Sequence, residues 1–337
     1  MRVLRGRAAR HAPWLALAGV LGWAQASLAG EYESSPQVAE FVTEMTRDYG
    51  FASEQLVSLF AAAERKQNII DAISRPAEKV KPWKDYRPIF ITDSRISRGM
   101  EFWREHEEAL KRAEAEYGVP PQVIVAIIGV ETFYGGNTGG YRVVDALSTL
   151  AFDYPPRAPF FRKELREFLL LAREEQVDPL TLTGSYAGAM GLPQFMPSSF
   201  RAYAVDFDGD GRINIWSNPV DAIGSVASYF KRHGWQPGEP VVSAASIEGD
   251  AAEQGLTVGL DPVKNVAELR GLGWTSADPL DDLLPVTAFR LEGAEGAEYW
   301  LGLPNFFVIT RYNRSVMYAM AVNQLAELMV EARGTQP

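Results

Sequence analysis

The chain has 337 residues, 47% of them hydrophobic, with 33 Lys and Arg against 43 Asp and Glu and no cysteine. That length buries a sizeable core in roughly two domains of about 150 residues, and the apolar content excludes wholesale disorder. Disulfides, thiolate metal sites, a cysteine nucleophile and lipid attachment through a cysteine are excluded, and a net charge of −10 argues against nucleic acid as a partner.

Residues 1–29 carry Arg2, Arg5, Arg7 and Arg10 without an acid, then an apolar run from about Pro13 to Ala24, then Ala24-Gln25-Ala26 and Ser27-Leu28-Ala29. This reads as a secretory signal peptide cut after Ala29 or Ala26, because the apolar run falls short of the roughly 20 residues of a spanning helix. Its removal leaves 29 basic against 43 acidic residues. No later segment is long and apolar enough to anchor the chain: the run from Val123 to Val130 fits a buried helix.

Residues 30–118 read as a helical N-terminal domain. Val38, Phe41, Val42 and Met45, then Leu56, Leu59 and Phe60, keep helical period, and Ile96, Met100, Trp103, Leu110, Ala113 and Tyr117 predict one long amphipathic helix over 94–117, stopped at Gly118. Residues 119–236 form the next unit. Pro121 opens a helix that is apolar on every face and therefore buried, with Glu131 and Thr132 near its end before Gly135-Gly136. A further helix is predicted from Pro159 to Glu175, followed by a glycine-rich segment from Gly184 to Pro197. Residues 237–309 read as a small β-rich module, with strands at 257–260, 286–291, 299–303 and 306–309. The last stretch, 310–337, carries a C-terminal helix from about Ser315 to Ala332 that returns to the core. The fold class is mainly α (α+β).

A carboxyl group in the last turn of an apolar helix is expensive to ionise, since burial and the helix dipole both disfavour its anion. Glu131 is therefore expected to hold a proton near neutral pH, as a general acid in glycosidic cleavage must; a glutamate satisfied by local donors is the other reading of the same residue. Two long stretches then matter: Ile128-Gly129-Val130-Glu131-Thr132-Phe133-Tyr134-Gly135, and Ser185-Tyr186-Ala187-Gly188-Ala189-Met190-Gly191-Leu192-Pro193-Gln194-Phe195-Met196-Pro197-Ser198. In order and spacing they resemble the lytic transglycosylases, specifically the membrane-bound lytic murein transglycosylase B family (glycoside hydrolase family 103). The likeness reaches Ile309-Thr310-Arg311-Tyr312-Asn313.

The resemblance implies a lysozyme-like catalytic core that cleaves the β-1,4 bond between N-acetylmuramic acid and N-acetylglucosamine in peptidoglycan without water, leaving 1,6-anhydromuramyl ends. It implies Glu131 as acid and then base, with no cofactor for catalysis. Ordinary glycosidases need a second carboxylate about 5 to 9.5 Å away, and the nearest acids in sequence, Asp145 and Asp153, lie in no nucleophile motif. Ser185 and Asn313 match family positions on the reacting sugar, Gln194 the glutamine beside the acid, and Tyr86, Tyr229, Tyr312 and Tyr318 the aromatic lining of the groove. Arg157 is placed to meet substrate carboxylates, but Pro156 replaces a second arginine of the pattern.

Asp206-Phe207-Asp208-Gly209-Asp210-Gly211-Arg212-Ile213-Asn214 spaces oxygen ligands like an EF-hand loop. Ser217 stands where the usual closing glutamate would be. The expected ligands are Asp206, Asp208, Asp210, the backbone carbonyl of Arg212 and, by the resemblance, Asp221. The ion is read as structural Ca2+, with Na+ as the alternative; a solvated acidic turn is the bland reading. His106 and His233 have no metal-ligand spacing. The sequence thus predicts a soluble periplasmic lytic transglycosylase without a membrane anchor, acting on peptidoglycan glycan strands, with other cell-wall enzymes as potential partners. A hydrolase of the same polymer and a non-catalytic, calcium-dependent peptidoglycan-binding protein are the alternatives.

Overall fold

The computed structural model describes Tyr32, residues 34–74 and residues 81–334; the signal peptide read at 1–29 lies outside them. The helices in chain order are α1 (Pro36–Tyr49), α2 (Ser53–Ala62), α3 (Gln67–Ser74), α4 (Trp83–Phe90), α5 (Asp93–Glu105), α6 (Glu107–Tyr117) and α7 (Pro121–Thr132). A two-residue strand β1 (Tyr141–Arg142) precedes α8 (Val143–Asp153) and α9 (Ala158–Glu174); β2 (Thr183–Gly184) pairs with β1 ahead of α10 (Pro197–Tyr203) and α11 (Pro219–Arg232). Then come β3 (Val242–Ile247), β4 (Lys264–Asn265), α12 (Val266–Gly271), β5 (Trp274–Ser276), β6 (Pro285–Glu292) and β7 (Ala297–Gly302), and finally α13 (Pro304–Tyr312) and α14 (Val316–Gly334).

The centre of the molecule is α7. Ile124, Val125, Ala126, Ile127 and Ile128 are wholly buried, as a helix apolar all round must be. It packs on α5, α6, α11 and α14, so the C-terminal helix closes over the same core that α4 and α5 reach from the N-terminal side. At about 25 cal/mol per Å² of apolar surface, burial of these side chains is the main force holding that centre.

Three expected elements differ. The predicted helix over 94–117 is two, broken at His106, whose φ −117° and ψ 25° leave helical geometry. The break lets Met100 and Trp103 on α5 face α7 and α14 while Leu110 and Ala113 on α6 face α11; one straight helix would not aim its stripe at both. Residues 306–309, read as a strand, lie in α13, because Pro304 opens a helical turn and Phe306, Val308 and Ile309 bury together at helical spacing. Residues 257–260 are a loop held along β6: the Thr257 N–H donates to the Ala288 carbonyl (2.8 Å), and its Oγ1 accepts from the Ala288 N–H (2.9 Å).

The antiparallel sheet runs β4-β6-β7-β3-β5 and covers a second, smaller core of Trp274, Val286, Ala288, Leu301 and Leu303. Between Pro237 and Leu303 the chain carries twelve acidic residues against three basic ones. The turn that enters this region is fixed to α13 by Asn305, which is wholly buried. Its Oδ1 accepts from the Gln236 N–H, and its Nδ2 donates to the carbonyls of Gln236 and Glu239, all at 2.8 Å. Asn305→Ala strands these buried backbone groups, and a loss of about 3 kcal/mol is expected in chemical denaturation; a loss under about 0.5 kcal/mol would mean that water replaces the side chain.

Candidate active site

Glu131 sits in the last turn of α7, one residue before the helix ends. Burial pushes its carboxyl up to about 7, against a smaller opposing effect from Tyr318, whose hydroxyl donates to Glu131 Oε1 at 2.5 Å. The carboxyl therefore changes charge close to neutrality. The negative field of its anion, behind burial as the larger cause, raises Tyr86, Tyr312 and Tyr318 above the ordinary phenol range. The structure thus gathers Tyr86 of α4, Tyr312 at the end of α13 and Tyr318 of α14 around Glu131.

The turn after Glu131 is unusual. Phe133 and Tyr134 both adopt left-handed backbone (φ 53° and 60°), costing on the order of 1 kcal/mol each for residues with a Cβ. Four hydrogen bonds hold it. The Tyr134 hydroxyl donates to the Arg95 carbonyl (2.9 Å), and Arg95 Nε donates to the Gly129 carbonyl (3.1 Å). Thr132 Oγ1 accepts from the Gly135 N–H (3.0 Å) and lies 3.0 Å from the Leu192 carbonyl to which it donates, tying the helix end to the glycine-rich loop. The Tyr134 ring occupies a slot cut by two glycines: a Cβ on Gly99 or Gly129 would stand 2.4 or 2.5 Å from its hydroxyl.

The loop carries two more expected residues. Ser185 Oγ accepts from the Ala189 N–H (3.0 Å). Gln194, at φ 50°, donates from Nε2 to the carbonyls of Thr138 (3.1 Å) and Gly191 (2.9 Å), which joins the two loops flanking the helix end. The Tyr312 hydroxyl donates to the Pro193 carbonyl (2.6 Å), bringing α13 onto that loop. Tyr229 packs on Tyr312 (ring centroids 4.8 Å) and donates to the Arg311 carbonyl (2.6 Å). Asn313 is exposed beside Tyr312, and Ser315, not Asn313, accepts from an N–H in the first turn of α14. Arg157 stands apart: its guanidinium covers Phe160 and Phe161 (4.6 and 5.1 Å), with no contact to the tyrosines around Glu131.

Asp145 and Asp153 are both committed elsewhere. Asp145 is buried, accepting from the Glu64 N–H and Arg142 Nε (2.9 and 2.7 Å), while Asp153 accepts from the Tyr32 hydroxyl (2.9 Å) and faces Arg65 (3.3 Å). His233, read from sequence only as lacking metal-ligand spacing, packs on Tyr229 (4.0 Å) with its Nδ1 2.8 Å from the Tyr229 carbonyl; sequence reasoning gave no role to Arg95 or to Tyr134. None belongs to a periodic stripe; only their tertiary neighbours mark them.

In the acidic loop, Asp206, Asp208 and Asp210 offer carboxylate oxygens within 4.8 Å of one another. Gly209 and Gly211 supply the positive φ (79° and 90°) that the tight turn requires. All of these donors are hard oxygens, the chemistry of a hard cation. Asp221 is outside this trio: its two oxygens accept from the N–H groups of Phe207 (2.7 Å) and Asn214 (2.8 Å), bracing both ends of the loop against α11.

Residues 33–327 match the family model of the transglycosylase SLT domain. The chain is 46% identical over 315 residues to membrane-bound lytic murein transglycosylase B of Escherichia coli (strain K12), covering 91% of this chain and 86% of that protein. The crystal structure of soluble lytic transglycosylase SltB1 from Pseudomonas aeruginosa superposes with a TM-score of 0.87 at 72% identity, over 89% of this chain and all of that one. The Escherichia coli lytic transglycosylase SLT35 in complex with calcium gives 0.84 at 46% identity, over 91% and 96%. A mainly helical, lysozyme-like body with a small sheet, and a glutamate whose carboxyl burial pushes up to about 7, defines a peptidoglycan-cleaving lyase. The chain belongs to the lytic transglycosylase family, and these relatives do not favour the hydrolase or the non-catalytic reading.

Because the folded state holds the Glu131 proton more tightly than the unfolded chain, the contribution of Glu131 to stability is most favourable below pH 4.5. It falls between pH 4.5 and about 7 as only the unfolded chain ionises. Glu131→Gln is expected to raise stability by about 2 kcal/mol at pH 8 and by nothing below pH 4.5, read from melts across pH. Gly129→Ala drives a methyl into the Tyr134 ring and is expected to cost about 2 kcal/mol in the same melts.

Proposed function

We propose that Glu131 performs both proton transfers of the transglycosylase reaction on murein glycan strands. Protonated, it gives its proton to the glycosidic oxygen as the C1–O4 bond breaks and the N-acetylglucosamine end leaves. As carboxylate, it takes the proton of the muramyl C6 hydroxyl while that oxygen bonds to C1 and closes the 1,6-anhydro ring. The observation that carries this reading is the Glu131 carboxyl, pushed up to about 7 by burial, on a tyrosine hydroxyl at 2.5 Å. A proton that leaves and returns to the same group calls for that poise.

A second carboxylate is not required. Asp145 and Asp153 are held by other partners, and the substrate's own N-acetyl group is suited to stabilise the cationic carbon, as in substrate-assisted glycosidases. In this reading the Tyr318 hydroxyl steadies the carboxylate left by the first transfer. Tyr86, Tyr229 and Tyr312 wall the groove, with aromatic faces for sugar rings. Ser185, Gln194 and the exposed Asn313 contact the reacting sugar, since each borders the loop or helix end against Glu131. Arg157 lies with its own aromatic pair and is the weakest of the assigned contacts.

The acidic loop is read as a calcium site held by Asp206, Asp208, Asp210 and the Arg212 carbonyl, with Asp221 supporting or completing it. The calcium complex of SLT35 supports this. The ion would cross-brace the loop, neutralising three acids at its mouth, with no part in the bond cleavage. Export to the periplasm follows from the leader at residues 1–29, and among the described residues no helix is long and apolar enough to cross a membrane.

Glu131→Gln is expected to lower sacculus solubilisation at least 1000-fold; activity within ten-fold of wild type would remove Glu131 from the chemistry. Activity of the free enzyme is expected to fall as pH rises through about 7, where the acid loses its proton. Digests should end in species about 18 Da lighter than hydrolysed ends, the mass of one water. Chelation should lower the unfolding temperature by several degrees, and Asp208→Asn should remove that response.

A further inference from the structure

Arg95, in the first turn of α5, is half-buried, yet among the described residues no carboxylate answers its charge. Taking a guanidinium partly out of water without such a partner costs stability, and burial draws its pKa below the ordinary arginine value. Its donors go to two backbone carbonyls instead. Nη1 donates to Ile89 (2.7 Å) in the last turn of α4, and Nε donates to Gly129 (3.1 Å) in the last turn of α7. The Gly129 carbonyl also accepts the Phe133 N–H (3.1 Å), the bond that closes the turn holding Glu131. A cation at the C-terminal end of a helix is favourable, and here one side chain serves two such ends. The rings of Phe90 and Phe133 flank it, each 5.3 Å from the guanidinium carbon. Its backbone is fixed as well: the N–H donates to the cap hydroxyl of Thr92 (3.2 Å), and the carbonyl accepts from Tyr134 (2.9 Å).

This fork joins the acid to one wall of its groove. Tyr86 lies one turn before Phe90 on α4 and packs on it (5.1 Å), and it stands close enough to Glu131 to feel the charge of its anion. The two helices have different main neighbours, since α4 packs chiefly on α14 and β6, while α7 packs on α5, α6, α11 and α14. Arg95 is the polar link between their ends. Helix α4 has a second hold, because Arg87 Nε donates to Gln324 Oε1 on α14 (2.6 Å) and Trp83 is buried. The turn after Glu131 is the strained partner, with left-handed backbone at Phe133 and Tyr134. Losing the fork therefore releases that turn and leaves α4 in place.

We propose that Arg95 is a positioning residue for the cleavage reaction, its two-carbonyl fork holding the Glu131 carboxyl at a fixed distance from the Tyr86 wall. A sugar held against that wall then meets the acid within reach of proton transfer. The proposal rests on the reading of Glu131 as the acid. Lysine does not replace the fork: a guanidinium aims Nε and Nη1 in fixed, diverging directions, whereas an ammonium is one point charge on a flexible stem. Misplacing a reacting group by about 1 Å costs on the order of 100-fold in rate. Ser185, Gln194 and Tyr312 keep their own hydrogen bonds without Arg95, so binding of the ground state persists.

Steady-state cleavage of murein glycan strands by the wild type, Arg95→Lys and Tyr134→Phe separates positioning from stability, with melts showing which variants are folded at the assay temperature. For folded Arg95→Lys, kcat is expected to fall about 100-fold while KM stays within about two-fold. Destabilisation alone leaves kcat of the folded protein unchanged. A folded Arg95→Lys with kcat within about three-fold of wild type, or a loss carried by KM, overturns the proposal. Should Arg95→Lys not fold, Tyr134→Phe decides, since it keeps the ring in its slot and removes the bond to the Arg95 carbonyl. A fall in kcat of about ten-fold is expected there, and wild-type kcat overturns the proposal. If Glu131→Gln keeps activity within about ten-fold of wild type, the parent reading fails instead.

Discussion

One constraint organises the molecule: a carboxyl group is kept from water closely enough to hold its proton near neutrality, and in the function proposed above it must also stay open on one side to a polymer. The apolar helix α7 supplies the dry side, with ten of its twelve residues buried. The C-terminal helix supplies the counterweight, because the Tyr318 hydroxyl favours the anion that burial disfavours. Remove the first effect and the acid is ionised at working pH; remove the second and the anion has no partner once its proton has gone. The distant ends of the chain meet here for that reason.

Rigidity follows from the same need. The turn after Glu131 combines two strained residues, a threonine bridging to the glycine-rich loop, and a tyrosine ring seated where two helices have no side chain. Strain of this kind persists only where the surroundings over-determine it, and the surroundings here are α5, α14 and the loop to Gln194.

The helices of the core were legible because their apolar residues recur at helical period and all-round apolarity predicts burial; Glu131 stood out as the polar residue such a helix should not carry. Period alone failed where tertiary direction decided. At His106 two apolar stripes aligned in sequence point to different neighbours, and Phe306 to Ile309 is an apolar run too short for period to separate strand from helix. The tyrosines around Glu131 were readable only through resemblance, since each could equally serve the core. The roles of Arg95 and of Tyr134, which lies in the stretch that carries the resemblance, were legible by neither route, as their work is to hold backbone carbonyls brought close by folding.

The crowding of acids between Pro237 and Leu303 has an effect at longer range than any contact described so far. Twelve carboxylates against three cations give the molecule an electrical polarity, with its negative pole on the small sheet. The field of that pole reaches about a Debye length, roughly 8 Å at physiological salt, and weakens as the ionic strength rises.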